Sequence, residues 1–263
     1  MRICRVRVAD DISYAAIDNL GPDLEVTDDS VIALIDGHPF GEWRPQGQVY
    51  RARDVELLAP VLPSKVLGIG RNYQAHVAEM NNAAPEEPLL FLKPNTSVIG
   101  PGANIEIPWQ SEHVDHEAEL ALVIGRMCRS VPKERVAEVI FGYTCANDVS
   151  ARDLQKKDQQ WARAKGFDTF CPLGPWIETE IEADALAISC TVNGDVRQVG
   201  NTADLIFDIP TLVAHVSEAM TLLPGDVILT GTPSGVGPLH AGDSVSVTIE
   251  GIGTLTNGVV DRG

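Results

Sequence analysis

Two carboxylates set two residues apart, Glu117 and Glu119, open the apolar run VDHEAELALVI and are the side chains of this sequence best placed to do chemistry. On a β-strand that spacing points both to one face, where together they can hold one hard cation. A third acid, Asp148, follows in YTCANDVSARD, again at the polar end of a short β-prone run. Three carboxylate ligands suit Mg²⁺ or Mn²⁺ and leave coordination positions for substrate and water. An E-x-E pair is more often a solvated strand face. Here the ELALVIG stretch carries apolar residues on both faces, as a buried strand does, so acids that open it need a partner. His76 and Glu79, three apart in RNYQAHVAEM, share a helix face, where a carboxylate can orient an imidazole and raise its basicity. The same spacing also describes an ordinary exposed pair. Lys165 in WARAKGFDTFCP is solvated by default, but beside three carboxylates it would balance charge and grip a carboxylate substrate. His113 and His116 flank the acids; neutral imidazoles suit Mg²⁺ less well, which leaves them supporting or surface roles.

Other chemistries are excluded by what the motifs lack. GIGRNY has no third glycine of a dinucleotide fingerprint, and TGTPSGVG has no Gly-Lys-Ser/Thr end of a phosphate-binding loop. Both read as tight turns that bring backbone close to a ligand. A formal charge of −17 argues against a nucleic-acid partner, and any site for an anion must be locally positive. Five scattered cysteines with no C-x-x-C pair fit free thiols in a reducing compartment. The start, MRICRVRVADD, has no long apolar leader and no later run is long enough to span a membrane, so the expected location is the cytoplasm.

The elements that must position these residues are mostly strands. Residues 1–60 read as a small β-rich domain (ICRVRVA, SYAAID, SVIALIDG, LLAPVLP) closed by Pro60 and Pro63. Residues 61–263 form the larger unit. In it KVLGIG, LLFLKP and NIEIP are strands, RNYQAHVAEM is helical, and PKERVAEVIFG is helical with Pro132 in the first turn. ARDLQKKDQQWARAKG is helical at its start, although its polarity also suits a mobile loop; SCTVNGDVRQV is a hairpin about Asn193-Gly194, and DIPTLVAHVSEAM is a helix capped by Asp208. The alternating tail from GDVILTG onward ends as sheet. The class is mainly β, α+β, without regular βαβ winding.

The ordered set GRNYQAHVAEM, FLKP, HEAELALVIG, NDVSARDLQ, WARAKGFDTFCPLGPW, LLPGDVILTGTPSGVG and GIGTLTN resembles the fumarylacetoacetate hydrolase superfamily over nearly the whole chain. The resemblance implies a mixed β-sandwich roll, commonly a homodimer, with Mg²⁺ or Mn²⁺ held by Glu117, Glu119 and Asp148. It implies His76 and Glu79 as a catalytic pair on a lid, and Lys165 as the lysine that grips substrate; the polar, proline-bearing NNAAPEEP after the helical patch sets the expected lid at about residues 72–88. Arg71, Gln155 and Thr232 match positions lining the pocket, with Arg152 and Asp153 as supports. The segment between NDVSARDLQ and WARAKG is short for the family, which bears on how the lid closes. The N-terminal segment resembles that of bacterial 2-hydroxyhepta-2,4-diene-1,7-dioate isomerases and oxaloacetate decarboxylases of aromatic catabolism.

A 2-oxo acid can chelate such a cation through a carboxylate oxygen and its keto oxygen, which stabilises charge developing in an enolate. The expectation is therefore an enzyme acting on small 2-oxo dicarboxylates, with decarboxylation of an oxaloacetate-like β-keto acid slightly ahead. Isomerisation of the heptadiene dioate comes second and acylpyruvate hydrolysis third. A silent metabolite-binding protein would be expected to lack the His-Glu pair or the lysine, and all are present. A dinucleotide-dependent oxidoreductase would need the phosphate loop that is missing.

Overall fold

The computed structural model describes residues 1–80 and 83–262. Strand Ala118–Ile124 sits near the middle of a twelve-stranded sheet, hydrogen-bonded to Ile140–Asn147 on one side and Val227–Leu229 on the other. Leu120, Leu122 and Ile124 point into the main core, and Ala121 and Val123 into a second cluster on the opposite face. Burial of each large aliphatic side chain contributes roughly 1.5–3 kcal/mol relative to exposure, which fixes this strand in register. Beyond Val227–Leu229 the sheet continues through Val66–Gly70 to Leu89–Lys93. A five-stranded sheet, ordered Asp195–Asn201, Ala187–Val192, Ser244–Ile249, Gly253–Asp261, Ile105–Ile107, packs across the main core. The mainly β class expected from the sequence is what the chain adopts.

The first 60 residues extend the large sheet. Strand Arg2–Val8 pairs with Cys171–Glu178, and Asp11–Asp18, Val31–Gly37 and Trp43–Arg51 follow outward in order. They carry their own apolar cluster, with Cys4, Val6, Ile17 and Ile32 closed by Trp176 from the larger unit.

Among the described residues, four α-helices lie around the sheets: α1 (Gln74–Glu79), α2 (Arg152–Asp158), α3 (Ala162–Gly166) and α4 (Ile209–Ala219). Asp208 caps α4, its carboxylate accepting Thr211 N–H at 2.9 Å. The hairpin forms at Asn193 and Gly194, with φ of 54° and 84°, the two positive values that a type I′ turn requires. One reading needs correction. PKERVAEVIFG is not an α-helix: a 3₁₀ turn covers Lys133–Glu138, Pro132 precedes it, and Ile140 already belongs to a strand, where a β-branched residue in a buried sheet outweighs helical spacing. ARDLQKKDQQWARAKG is helical at its start, as expected, over Arg152–Asp158, and beyond left-handed Gln159 (φ 59°) a second short helix covers Ala162–Gly166. Among the described residues, no helix is long and apolar enough to cross a membrane. Asn81 and Asn82, inside the expected lid, lie outside the described residues.

Candidate active site

The chain breaks its strand at Glu117, between Val114–His116 and Ala118–Ile124, where it passes from a small three-stranded sheet to the large one. Glu117 and Glu119 therefore do not share one unbroken strand, as their spacing alone had implied. The break is stitched by Glu117 N–H donating to Asn147 Oδ1 at 2.9 Å and Asp148 N–H donating to Glu117 O at 2.9 Å. Asp148 follows strand Ile140–Asn147, whose Asn147 pairs with Ala118, so antiparallel register brings the third acid beside the first. Oxygens of Glu117, Glu119 and Asp148 lie within 4.8 Å of one another, and all three residues are buried.

Three buried cations answer these acids. Lys165 donates to Glu117 Oε2 at 2.7 Å and also to Asp148 Oδ2. Lys93 donates to Asp148 Oδ1, and Arg152 to Glu117 Oε1 and, at 2.8 Å, to Asp115 Oδ2. Desolvation alone would raise the Glu117 carboxyl, but Arg152 and Lys165 outweigh it and hold it well below the usual range. Burial would lower Lys165, yet Asp148 and Glu117 keep it above its ordinary value. Among the described residues, no cation is hydrogen-bonded to Glu119. Its hydrogen bond comes from Gly231 N–H at 2.7 Å, and burial together with the charges of Asp148 and Glu117 pushes its carboxyl up.

That imbalance is the test of fit for a metal. Four buried carboxylates (Asp115, Glu117, Glu119, Asp148) meet three buried cations (Lys93, Arg152, Lys165), and the deficit falls on Glu119. An all-oxygen donor set with a deficit of positive charge suits a hard divalent cation, which would turn the set net positive and receptive to an anionic substrate.

A cavity of about 260 Å³ opens over the acids, lined by Arg71, His76, Glu117, Glu119, Asp148, Arg152, Gln155, Lys165 and Thr232; of the pocket residues and supports read from the sequence, Glu79 and Asp153 do not line it. His76 is buried on α1, with Nδ1 3.2 Å from Glu79 Oε2. Glu79 Oε1 in turn accepts Gly235 N–H at 2.9 Å. A proton on Nδ1 shared with that carboxylate leaves Nε2 as a bare acceptor. The TGTPSGVG turn thus supplies backbone amides to two acids, Gly231 to Glu119 and Gly235 to Glu79. Both glycines have positive φ (104° and 95°), and a Cβ on Gly235 would lie 2.1 Å from Arg197 O. Lys165, solvated by default in the sequence, is buried on α3 with its ammonium 5.0 Å from the Phe91 ring centroid. Thr232 lines the cavity, but its hydroxyl donates to Ala118 O at 2.8 Å. Gln155 accepts from Arg152 at 3.0 Å. Asp153 lies aside, accepting from Ser111 Oγ at 2.6 Å.

Sequence reasoning missed Lys93, Asp115, Phe91, Trp161 and Lys156. Lys93 carried a usable signal, since a lysine closing the apolar strand LLFLK should find a buried acid. His116 is buried and bonded to Gln198 Oε1 at 3.0 Å, while His113 is half-exposed, 2.9 Å from Asp115 Oδ1.

With this geometry in place, comparison with known proteins gives a concordant result. A family model described as fumarylacetoacetate (FAA) hydrolase C-terminal matches residues 65–260, and one described as Rv2993c-like, N-terminal matches residues 1–60. A solved 5-carboxymethyl-2-hydroxymuconate delta-isomerase from Mycobacterium smegmatis is 53% identical, with TM-score 0.92 over 100% of both chains. A solved 2-hydroxyhepta-2,4-diene-1,7-dioate isomerase from Mycobacterium marinum is 47% identical, with TM-score 0.92 over 100% of this chain and 99% of that one. The mitochondrial oxaloacetate tautomerase fahd2 of Xenopus laevis is 46% identical over 79% of this chain and 69% of its own.

Proposed function

The chain belongs to the fumarylacetoacetate hydrolase family, and from that premise we propose that it is a Mg²⁺- or Mn²⁺-dependent enzyme that shifts a proton on small 2-oxo dicarboxylates, interconverting keto and enol forms or moving a double bond. One observation carries this reading: His76, oriented by Glu79, lines the same cavity as the three-acid cluster. Glu117, Glu119 and Asp148 would hold the divalent cation, which when bound would supply Lewis-acid stabilisation of negative charge on the substrate's keto oxygen. Nε2 of His76 takes the proton from the carbon beside the keto group and returns it at the alternative position. Glu79 keeps Nδ1 protonated throughout. Lys165 and Arg152, packed on the acids, present positive charge to the substrate carboxylate, and Phe91 and Trp161 form an aromatic wall with ring centroids 5.4 Å apart that helps exclude water. The names carried by the M. marinum and X. laevis relatives favour the same class of reaction.

Decarboxylation of an oxaloacetate-like β-keto acid, first in the sequence reading, becomes the second. The buried Lys165 at the acids supports it, but the reaction leaves the His76–Glu79 pair without a task. Acylpyruvate hydrolysis stays third. The Mg²⁺-loaded protein should be assayed against oxaloacetate, the heptadiene dioate and acylpyruvates, following enol absorbance separately from CO₂. The proton shift should outrun CO₂ release by at least about tenfold, the scale of one positioned base at partial efficiency. Equal rates would put decarboxylation first. The reading includes a cytoplasmic homodimer, supported by five unpaired cysteines and by Val196 and Val199, exposed on edge strand Asp195–Asn201. Sedimentation equilibrium checks the dimer.

A further inference from the structure

The cations of this pocket fall into two sets. Lys93, Arg152 and Lys165 are buried and each is paired with a carboxylate. Arg71 and Lys156 line the same cavity, yet among the described residues neither side chain makes an ion pair or a hydrogen bond.

Their placement is equally specific. Lys156 lies four residues after Arg152 on α2, on the same helix face and one turn, about 6 Å, further along it. Arg152 reaches the acids at the base of the pocket, so Lys156 stands nearer its mouth, where it is exposed. Arg71 lines the cavity on a left-handed backbone, φ 61°, a conformation that costs a non-glycine residue about 1 kcal/mol or more and is held by its neighbour Asn72. The Asn72 side chain donates to Phe207 O at 3.0 Å and Thr230 O at 2.8 Å, and accepts Phe207 N–H at 2.8 Å. Strain maintained at a pocket residue points to a ligand that the residue serves. The net charge of −17 repels any dianion at long range, so a second carboxylate entering this pocket needs cations at the rim.

We infer that Lys156 determines specificity for dicarboxylates: with Arg71 it binds the carboxylate at the end of the substrate remote from the 2-oxo acid. This rests on the reading of the site as one for 2-oxo acids. The acid end is gripped at the base by Lys165 and Arg152, and the remote carboxylate meets two charges left unpaired among the described residues. A substrate ending in a methyl group leaves both unanswered.

The test is calorimetric binding to the Mg²⁺-loaded protein of 2-oxoglutarate and 2-oxopentanoate, which differ in a terminal carboxylate against a methyl, with oxalate as a control for the inner end. The wild type should bind 2-oxoglutarate about tenfold more tightly than 2-oxopentanoate, the scale of one charge-assisted hydrogen bond. In Lys156→Gln that preference should fall below about threefold. Oxalate affinity should stay within about twofold, and Lys156→Arg should restore the preference. An unchanged preference in Lys156→Gln, with oxalate bound normally, overturns the role of Lys156 and leaves the 2-oxo acid reading standing. A wild type that binds none of the three ligands overturns both.

Discussion

Replacing Glu79 by Gln should damage the enzyme more than replacing it by Ala. The two oxygens of Glu79 do different things: Oε1 accepts Gly235 N–H at 2.9 Å and Oε2 lies 3.2 Å from His76 Nδ1. The Gly235 amide can only donate, so a Gln at this position turns its oxygen there and its NH₂ toward the imidazole. His76 must then accept at Nδ1 and carry its proton on Nε2, the nitrogen that the proposed chemistry needs bare. Loss of a positioned base should lower kcat by about 100-fold or more. Glu79→Ala removes the orienting carboxylate but leaves the tautomer free, so its loss should be smaller, about tenfold. Stability separates these from misfolding. The Glu79 side chain is 33% exposed, so the pair contributes at most about 1 kcal/mol and both variants should melt close to the wild type. Steady-state enolisation of oxaloacetate, with ¹⁵N NMR of the imidazole to read the tautomer, decides the matter. Glu79→Gln activity within about threefold of wild type, or Glu79→Ala falling below it, would refute the assigned roles.

Three further outcomes are expected. Glu119→Gln should weaken Mn²⁺ binding, followed by electron paramagnetic resonance, by at least about tenfold, because it removes a charged oxygen ligand from the set; unchanged affinity would move the cation elsewhere. Metal binding should release a proton, because burial and the neighbouring acids raise the Glu119 carboxyl in the metal-free protein. For an acid whose folded value is raised, the stabilising contribution is present below the unfolded value and is lost as pH rises through the folded one. The metal-free melting temperature should therefore fall behind that of the loaded protein as pH rises, and apparent Mg²⁺ affinity should climb over the same interval; a pH-independent gap would contradict this. His76→Ala should cost the proton shift at least about 100-fold while oxaloacetate decarboxylation falls less, whereas Lys165→Ala should depress both; equal loss of both reactions in His76→Ala would put that pair in a step common to each.

The site was legible in the sequence wherever a spacing rule and a burial pattern agreed. Glu119 opens a strand apolar on both faces, and His76 and Glu79 lie three apart on a helix, so their convergence could be read before any fold was known. The break at Glu117 was not legible, because it comes from the chain changing sheets, a tertiary event held by Asn147 and Asp148. Strand Trp43–Arg51 went unread for a different reason: it is an outer edge strand, polar and almost wholly exposed, with Pro45 and Gly47 inside it. Lys93 and Asp115 were hidden because each acts through a partner distant in sequence, 55 and 37 residues away. Lys156 lay in a run of polar residues that reads as a solvated helix face, and only the cavity distinguishes it from Lys157 beside it.

The central claim is that a divalent cation held by Glu117, Glu119 and Asp148 and a base at His76 together move a proton on a 2-oxo dicarboxylate. Proton NMR of deuterium incorporation at C3 of oxaloacetate in D₂O tests it most directly, since exchange there reports enolisation whether or not CO₂ is later lost. The account predicts exchange at least about 100-fold above a buffer control with the same Mg²⁺, abolished by chelator, restored by Mg²⁺ or Mn²⁺, and lost in His76→Ala. Exchange no faster than the Mg²⁺ control, or full exchange in the chelated protein, would contradict it.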